Sequence, residues 1–270
     1  MAKIALAQTN PAWEQVRENL DSIARLTREA SGLGCDMIVF PEMCTTGFTM
    51  NPDAAAEVEG GHTESVFVEL ADRCDIAVVA GTARRKPGAD KPNNTAVVFN
   101  PDGTPAGMYD KVHLFSPSGE DRRYEAGESV PVFTIGGLRF SVLICYDLRF
   151  PELFRSVAPR IDAAVVIANW PASRQEHWRC LLRARAIENQ CYAVGVNRVG
   201  CDGNGITYAG GSAVYSPDGE RVLDAGGGEG LSTATLSPDV VAGWRKAFPA
   251  LRDAKLFRDV WEHRGTAEDD

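Results

Sequence analysis

Leu138-Arg-Phe-Ser-Val-Leu-Ile-Cys145-Tyr-Asp-Leu-Arg-Phe-Pro-Glu152 is the stretch that decides the fold. Its first half, Leu138 to Cys145, is apolar enough to read as a buried strand, and a short helix is expected from Glu152. A strand that turns sharply into a helix belongs to a layered α/β fold. The flanks agree. Upstream, Val130 to Ile135 and Gly136-Gly137 make a hairpin with the strand. Downstream come a strand at Ala163 to Ala168, a helix from about Gln175 to Gln190 and a strand at Tyr192 to Asn197.

Further out, Ile4 to Gln8, Asp36 to Phe40 and Ile76 to Thr82 read as strands, with helices at Glu14 to Ala30 and Thr63 to Cys74 between them. Asn94 to Phe99, Asn100-Pro-Asp-Gly103 and Pro105 to Lys111 form a second hairpin, and Ser212 to Tyr215 with Glu220 to Leu223 a third. Gly/Asp-rich loops are expected at 86–93 and 200–211. A helix-like piece and a polar tail, able to reach a partner subunit, are expected from Trp244 to Asp270. With no linker or repeat, the chain reads as a single α/β domain over residues 1–257, with two sheets and a tail over 258–270.

Composition narrows the function. The 270-residue chain carries a formal charge of -9 with 44% hydrophobic residues, a globular balance that disfavours nucleic acid as a partner. No apolar run approaches membrane-spanning length. The N-terminus lacks the regions of a signal peptide, so a cytoplasmic location is the default. Seven cysteines, at 35, 44, 74, 145, 180, 191 and 201, form no CxxC pair. That argues against a disulfide framework or a zinc site, and neither a metal nor another cofactor is implied.

Three residues follow apolar strands at their C-terminal ends, the edge where α/β sheets collect reactive groups. Glu42 follows Met-Ile-Val-Phe-Pro, Lys111 follows Gly-Met-Tyr-Asp, and Cys145 follows Phe-Ser-Val-Leu-Ile. Singly, each has an ordinary alternative: a cap, a solvated charge, a core thiol. Together they supply what amide hydrolysis needs. A thiol activated by a neighbouring base attacks, a cation or aimed N–H groups hold the oxyanion, and an acid returns a proton to the leaving amine.

Three segments then resemble, in order, the signature motifs of the nitrilase superfamily of carbon–nitrogen hydrolases: Val39-Phe-Pro-Glu42, Tyr109-Asp-Lys-Val-His-Leu-Phe115 and Leu143-Ile-Cys-Tyr-Asp-Leu-Arg-Phe-Pro-Glu152. The resemblance runs from about Lys3 to Phe257. It implies an α-β-β-α sandwich that dimerises into a four-layer α-β-β-α-α-β-β-α assembly. It also implies Glu42 as general base, Lys111 on the oxyanion and Cys145 as the residue that forms the thioester. A second glutamate often assists the lysine in this family. Glu120 fits that place, with Glu125 the other candidate.

Cys145-Tyr146-Asp147 looks like the amidase branches, where true nitrilases have Cys-Trp-Glu. The run from Ala168 to Gly205 is similar to bacterial ω-amidases, which act on the terminal amide of 2-oxo acids. Amides of deaminated glutathione and N-carbamoyl amino acids are the alternatives. A non-catalytic scaffold or a thiol-redox protein would be a different class. For a small anionic substrate, Arg174 is the candidate carboxylate partner, with Phe115, Tyr146 and Trp170 as the other substrate-binding candidates. A pocket closed around a five-carbon diacid would reject a tripeptide. His113 reads as a structural hydrogen-bonding residue, His177 as packing at a helix start, and Asp202-Gly-Asn-Gly205 as a turn near the site. Asp147 and Glu188 are expected to pair with Arg149, Arg183 or Arg185. Lys111→Met is expected to abolish activity at unchanged stability.

Overall fold

The computed structural model describes residues 1–254. In chain order its principal elements are β1 (Ala2–Gln8), α1 (Val16–Gly32), β2 (Met37–Val39), α2 (Pro52–Ala55), β3 (Ala56–Val58), α3 (His62–Cys74), β4 (Ala77–Arg85), β5 (Asn93–Phe99), β6 (Pro105–Asp110) and α4 (Glu120–Arg123). The second half has β7 (Phe133–Ile135), β8 (Leu138–Ile144), α5 (Pro151–Val157), β9 (Ala163–Ala168), α6 (Gln175–Asn189), β10 (Tyr192–Asn197), β11 (Val199–Cys201), β12 (Thr207–Ala209), β13 (Ala213–Tyr215), β14 (Arg221–Asp224), β15 (Gly230–Leu236) and α7 (Pro238–Ala247).

Two sheets result. One runs β15-β1-β2-β4-β5-β6, with β3 beside β4, and the other runs β14-β13-β10-β9-β8-β7. Each has three parallel strands at its centre and antiparallel flanks. Because the centre of each sheet is covered on both faces, its strands are near-continuous apolar runs. The two-residue alternation sorts them. Ile4, Leu6, Val39, Val79, Val98, Val142, Ile144, Val165, Ile167 and Val194 meet between the sheets. Their neighbours Ala5, Ile38 and Val78 face α1 and α3 through Leu20, Ile23, Leu26 and Phe67. Leu143, Val166 and Ala193 face α5 and α6 through Phe154, Trp178 and Leu182. Helix, sheet, sheet, helix is the α-β-β-α sandwich that the family resemblance implies. Burying each large aliphatic side chain contributes about 1.5–3 kcal/mol toward closing it.

The expected elements are present with ends shifted by a few residues, and three features differ. The loop expected over 200–211 contains the β11–β12 hairpin. The returning strand β15 pairs with β1 and was not anticipated. The helix expected from Trp244 begins earlier, at Pro238, where a proline in the first turn and Asp239 suit a helix start. The boundary expected at 257 and the tail over 258–270 lie outside the described residues. Among the described residues no helix is long and apolar enough to cross a membrane.

Candidate active site

Five strand ends meet at one edge of the sandwich. Cys145 directly follows β8, Asn169 directly follows β9, Lys111 directly follows β6, and Glu42 lies three residues past β2. The fifth end is the start of β5, which runs antiparallel to β4 and so brings Asn94 to the same edge. Cys145 sits on the expected bend. Its φ is 46°, in the left-handed region that costs a non-glycine residue of order 1–3 kcal/mol and recurs at active sites. A 3-10 turn, Cys145–Arg149, separates it from α5. The first N–H groups of such a turn have no partner within it.

Lys111 and Glu42 are wholly buried, as is Glu120. The Lys111 ammonium donates to Glu42 Oε1 at 2.8 Å and to Glu120 at 2.9 and 3.1 Å. Asn94 Nδ2 lies between the carboxylates and donates to both, at 2.8 Å each. Glu42 Oε2 accepts the backbone N–H of Asn169 at 2.9 Å, while Asn169 Nδ2 donates to the Glu42 carbonyl at 2.7 Å. The backbone N–H of Phe115 fixes Glu120 at 2.6 Å. Of the two glutamates considered beside Lys111, Glu120 is the one in place; Glu125 is exposed.

These contacts set the protonation states. Burial alone would raise the Glu42 carboxyl, but the Lys111 charge and the Asn169 and Asn94 donors outweigh it, so Glu42 sits below the usual range. Burial works against the Lys111 charge too, and the flanking Glu120 and Glu42 carboxylates reverse it, holding the ammonium protonated. For Cys145 burial pushes the thiol well above its ordinary value, Glu42 adds to the rise, and Lys111 opposes it. The resting cluster is therefore a thiol beside a carboxylate, not a preformed thiolate. Cys145 Sγ lies 3.8 Å from the Asn169 carbonyl oxygen and is half-buried on the wall of a cavity of about 580 Å³.

All four expected substrate-binding residues line that cavity. Phe115 meets Tyr146 edge-on at 5.0 Å, and the Arg174 guanidinium lies 5.8 Å from the Phe115 ring centre. Arg174 and Arg149 join none of the ion pairs among the described residues. Trp170 packs on Trp178 in the core and also forms cavity wall beneath Arg149, whose guanidinium is 4.8 Å from its ring. The Asp202-Gly-Asn-Gly205 turn belongs to the β11–β12 hairpin, with Asp202 and Asn204 on the cavity wall. Gly203 is required there, because a Cβ would fall 2.6 Å from the Trp13 indole.

Two expectations change. Asp147 pairs with none of the three expected arginines; it accepts from Tyr109 Oη, from the backbone N–H of Ile144 and from His113. His113 is accordingly the structural hydrogen-bonding residue expected. Glu188 does pair with Arg185, at 2.8 Å. His177 is exposed rather than packed, and its Nδ1 lies 3.3 Å from Arg149. Asn169 and Asn94 escaped the sequence reading, although Asn169 follows an apolar strand as directly as Cys145 does.

Comparison with known proteins agrees with this geometry. Residues 3–246 match the carbon–nitrogen hydrolase family profile. The omega-amidase YafV of Escherichia coli K12 is 39% identical over 96% of this chain and 98% of its own. The 2-oxoglutaramate amidase of Bacillus subtilis is 31% identical, over 93% and 97%. The crystal structure of XC1258 from Xanthomonas campestris, a CN-hydrolase superfamily protein with an arsenic adduct in its active site, superposes with a TM-score of 0.89 at 35% identity. It covers 95% of this chain and 98% of its own. The buried cluster at the strand ends, the sandwich that carries it and these relatives together establish that the chain belongs to the carbon–nitrogen hydrolase family.

Proposed function

We propose that this enzyme hydrolyses the terminal amide of small 2-oxo acid ω-amides, with 2-oxoglutaramate as the reference substrate, through a thioester on Cys145. The observation that carries the reading is the wholly buried Lys111 clamped between Glu42 and Glu120 beside a cavity-lining thiol. The relatives named for ω-amidase and 2-oxoglutaramate amidase activity support the substrate class.

In the acylation step Cys145 Sγ adds to the amide carbon while its proton passes to Glu42 Oε2 or Oε1. The carbonyl oxygen becomes an oxyanion held by Lys111 and by free N–H groups at the start of the 3-10 turn. An ammonium has three donors, and the two carboxylates fix two directions, which leaves one for this oxygen. Collapse breaks the C–N bond, and the Glu42 carboxylic acid returns its proton to the departing ammonia. Water then attacks the thioester with Glu42 as base, releasing the acid and restoring the thiol. Glu120 holds Lys111 throughout. The Arg174 guanidinium, which pairs with no carboxylate among the described residues, takes the substrate carboxylate, and Phe115, Tyr146 and Trp170 screen the site from water.

A reducing cytoplasm suits seven free thiols, and a homodimer, the assembly common to this fold, is the quaternary state proposed; light scattering of the pure protein tests it. The function is tested by ammonia release. Wild type should consume 2-oxoglutaramate, and Cys145→Ala and Cys145→Ser should not, at unchanged circular dichroism. A kcat/KM higher for an N-carbamoyl amino acid or deaminated glutathione would replace the substrate while keeping the chemistry.

A further inference from the structure

The catalytic cluster draws on both sheets. Lys111 comes from the end of β6 in the first, and Cys145 from the end of β8 in the second. Their separation is therefore fixed only as well as the sheets are fixed to each other at this edge. Beside the Asn169–Glu42 contacts, one further side chain spans the gap, between the segments that carry Lys111 and Cys145 themselves. Asp147 is wholly buried, and its Oδ2 accepts the Ile144 backbone N–H at 2.9 Å and the Tyr109 hydroxyl at 2.7 Å. Its Oδ1 accepts the His113 backbone N–H at 2.9 Å and meets His113 Nδ1 at 3.1 Å. Tyr109 and His113 flank Lys111 by two residues on either side, and Ile144 precedes the nucleophile.

The Tyr109 hydroxyl also accepts the Val112 backbone N–H at 3.2 Å. The His113 ring stacks on Phe150 at 3.7 Å, 6° from parallel, which ties the segment after Lys111 to the far side of the 3-10 turn. Both oxygens of a buried carboxylate are thus committed to holding the two chain segments together. The Cys145 backbone, at φ 46°, needs such a restraint, because nothing in its own conformational preference keeps it there.

We infer that Asp147 is a positioning residue, the brace that sets the Cys145 thiol against the Lys111 ammonium by joining the nucleophile turn to the Tyr109–His113 segment. Asp147 touches no reacting atom. It acts through Ile144 on the sulfur and through Tyr109 and His113 on the cation, and the inference rests on the roles proposed above for those two groups.

Asp147→Asn keeps the shape but replaces one acceptor oxygen with an NH2 that confronts N–H donors. The test combines steady-state kinetics on 2-oxoglutaramate, per active site titrated, with the pH dependence of Cys145 alkylation by iodoacetamide followed by mass spectrometry. Alkylation needs no substrate, so it reads the brace even if 2-oxoglutaramate proves to be the wrong amide. Expected for Asp147→Asn are a kcat lower by roughly 10–100-fold, as for a small misplacement of reacting groups, and a KM within about 3-fold of wild type. The Cys145 alkylation profile should also move upward by roughly one pH unit as Lys111 loses its grip on the thiol. Tyr109→Phe, a smaller lesion that removes one of the four contacts, should lower kcat by roughly 3–10-fold, the kinetic equivalent of one hydrogen bond. It should move the alkylation profile the same way, and it serves if Asp147→Asn does not fold. A lower melting temperature with unchanged kcat per titrated site and an unchanged alkylation profile in the folded variants would overturn the inference and leave Asp147 a fold residue only.

Discussion

At Lys111 the stability of the fold and the proposed chemistry meet in one buried side chain. Among the described residues it is the one cation hydrogen-bonded to the wholly buried Glu42 and Glu120, so Lys111→Met should destabilise the fold, contrary to the unchanged stability expected from the sequence. Removing one partner of a buried pair costs about 3–5 kcal/mol, and loss of an oxyanion donor lowers kcat by roughly 10²–10³-fold. The variant also leaves two carboxylates sharing the Asn94 amide, and one of them should bind a proton. A carboxyl raised in the folded state makes the fold more stable as pH falls, so the melting temperature of Lys111→Met should rise between about pH 8 and 5; a scan over that range checks the sign. In wild type the sign is opposite. Glu42 is depressed in the fold, so its stabilisation is full above the unfolded value of about 4.3 and is lost as pH falls through the folded one. Because Glu42 must be ionised and Cys145 neutral at rest, kcat/KM should be flat from about pH 5 to 8. An acid limb centred near pH 6 or above would contradict the thiol–carboxylate pair. That Glu42, Lys111 and Cys145 share one edge was legible because each follows a run of strand residues. The placements of Asn94 and Asp147 were not: Asn94 meets Glu42 and Glu120, 52 and 26 residues away, and Asp147 meets Tyr109 and His113, 38 and 34 residues away, across strands whose register no local pattern specifies.

At the scale of elements, the segment carrying Glu42 is shaped by the strand beneath it. After β2 the chain crosses β4, where the Phe40 and Cys44 N–H groups donate to the carbonyls of Val79 and Gly81. At Gly81 a Cβ would lie 2.5 Å from Glu42 Cα and 2.7 Å from both the Met43 nitrogen and the Pro41 oxygen. All three are backbone atoms that cannot rotate aside. Gly81→Ala must therefore lift the Pro41–Cys44 segment, and it is expected to cost about 2–4 kcal/mol as a core overpacking and roughly 10²-fold in kcat. Thermal denaturation and ammonia release measure the two effects separately. Normal activity would mean that Glu42 tolerates displacement. The same contrast explains which elements could be read from sequence. Buried on both faces at their centres, β4, β8, β9 and β10 carry the apolar runs Ala77–Ala80, Val142–Ile144, Ala163–Ala168 and Tyr192–Val196. β15, Gly-Leu-Ser-Thr-Ala-Thr-Leu, is half-exposed along most of its length and rich in small polar residues, so it resembles a loop until β1 pairs with it. The β11–β12 hairpin was hidden by the glycines that let it close on Trp13.

At the scale of the molecule, the question is what holds the outer layers to the sandwich far from the catalytic edge. α7 follows β15 in the first sheet, yet its Arg245 reaches the second. The guanidinium donates to the carbonyls of Gln190 at 2.9 Å, Ala158 at 2.8 Å and Ile161 at 2.9 Å, at the C-terminal ends of α6 and of the turn after α5. Helix ends leave such carbonyls without partners, and a cation there also meets the negative end of the helix dipole. Among the described residues no carboxylate hydrogen-bonds Arg245, and burial lowers its pKa from the ordinary arginine value. Its contribution is a set of charge-assisted bonds to backbone that can find no replacement when the side chain is removed. Arg245→Ala should cost about 2–4 kcal/mol, a drop of roughly 4–12 °C in melting temperature for a chain of this size. None of the acceptors touches Glu42, Lys111, Cys145 or the cavity, so kcat/KM at 25 °C should stay within about 2-fold of wild type. Differential scanning calorimetry beside the ammonia assay gives both numbers. If activity fell in step with stability, the strap and the catalytic edge would be coupled through the second sheet; if neither changed, α7 would be held by its apolar face alone.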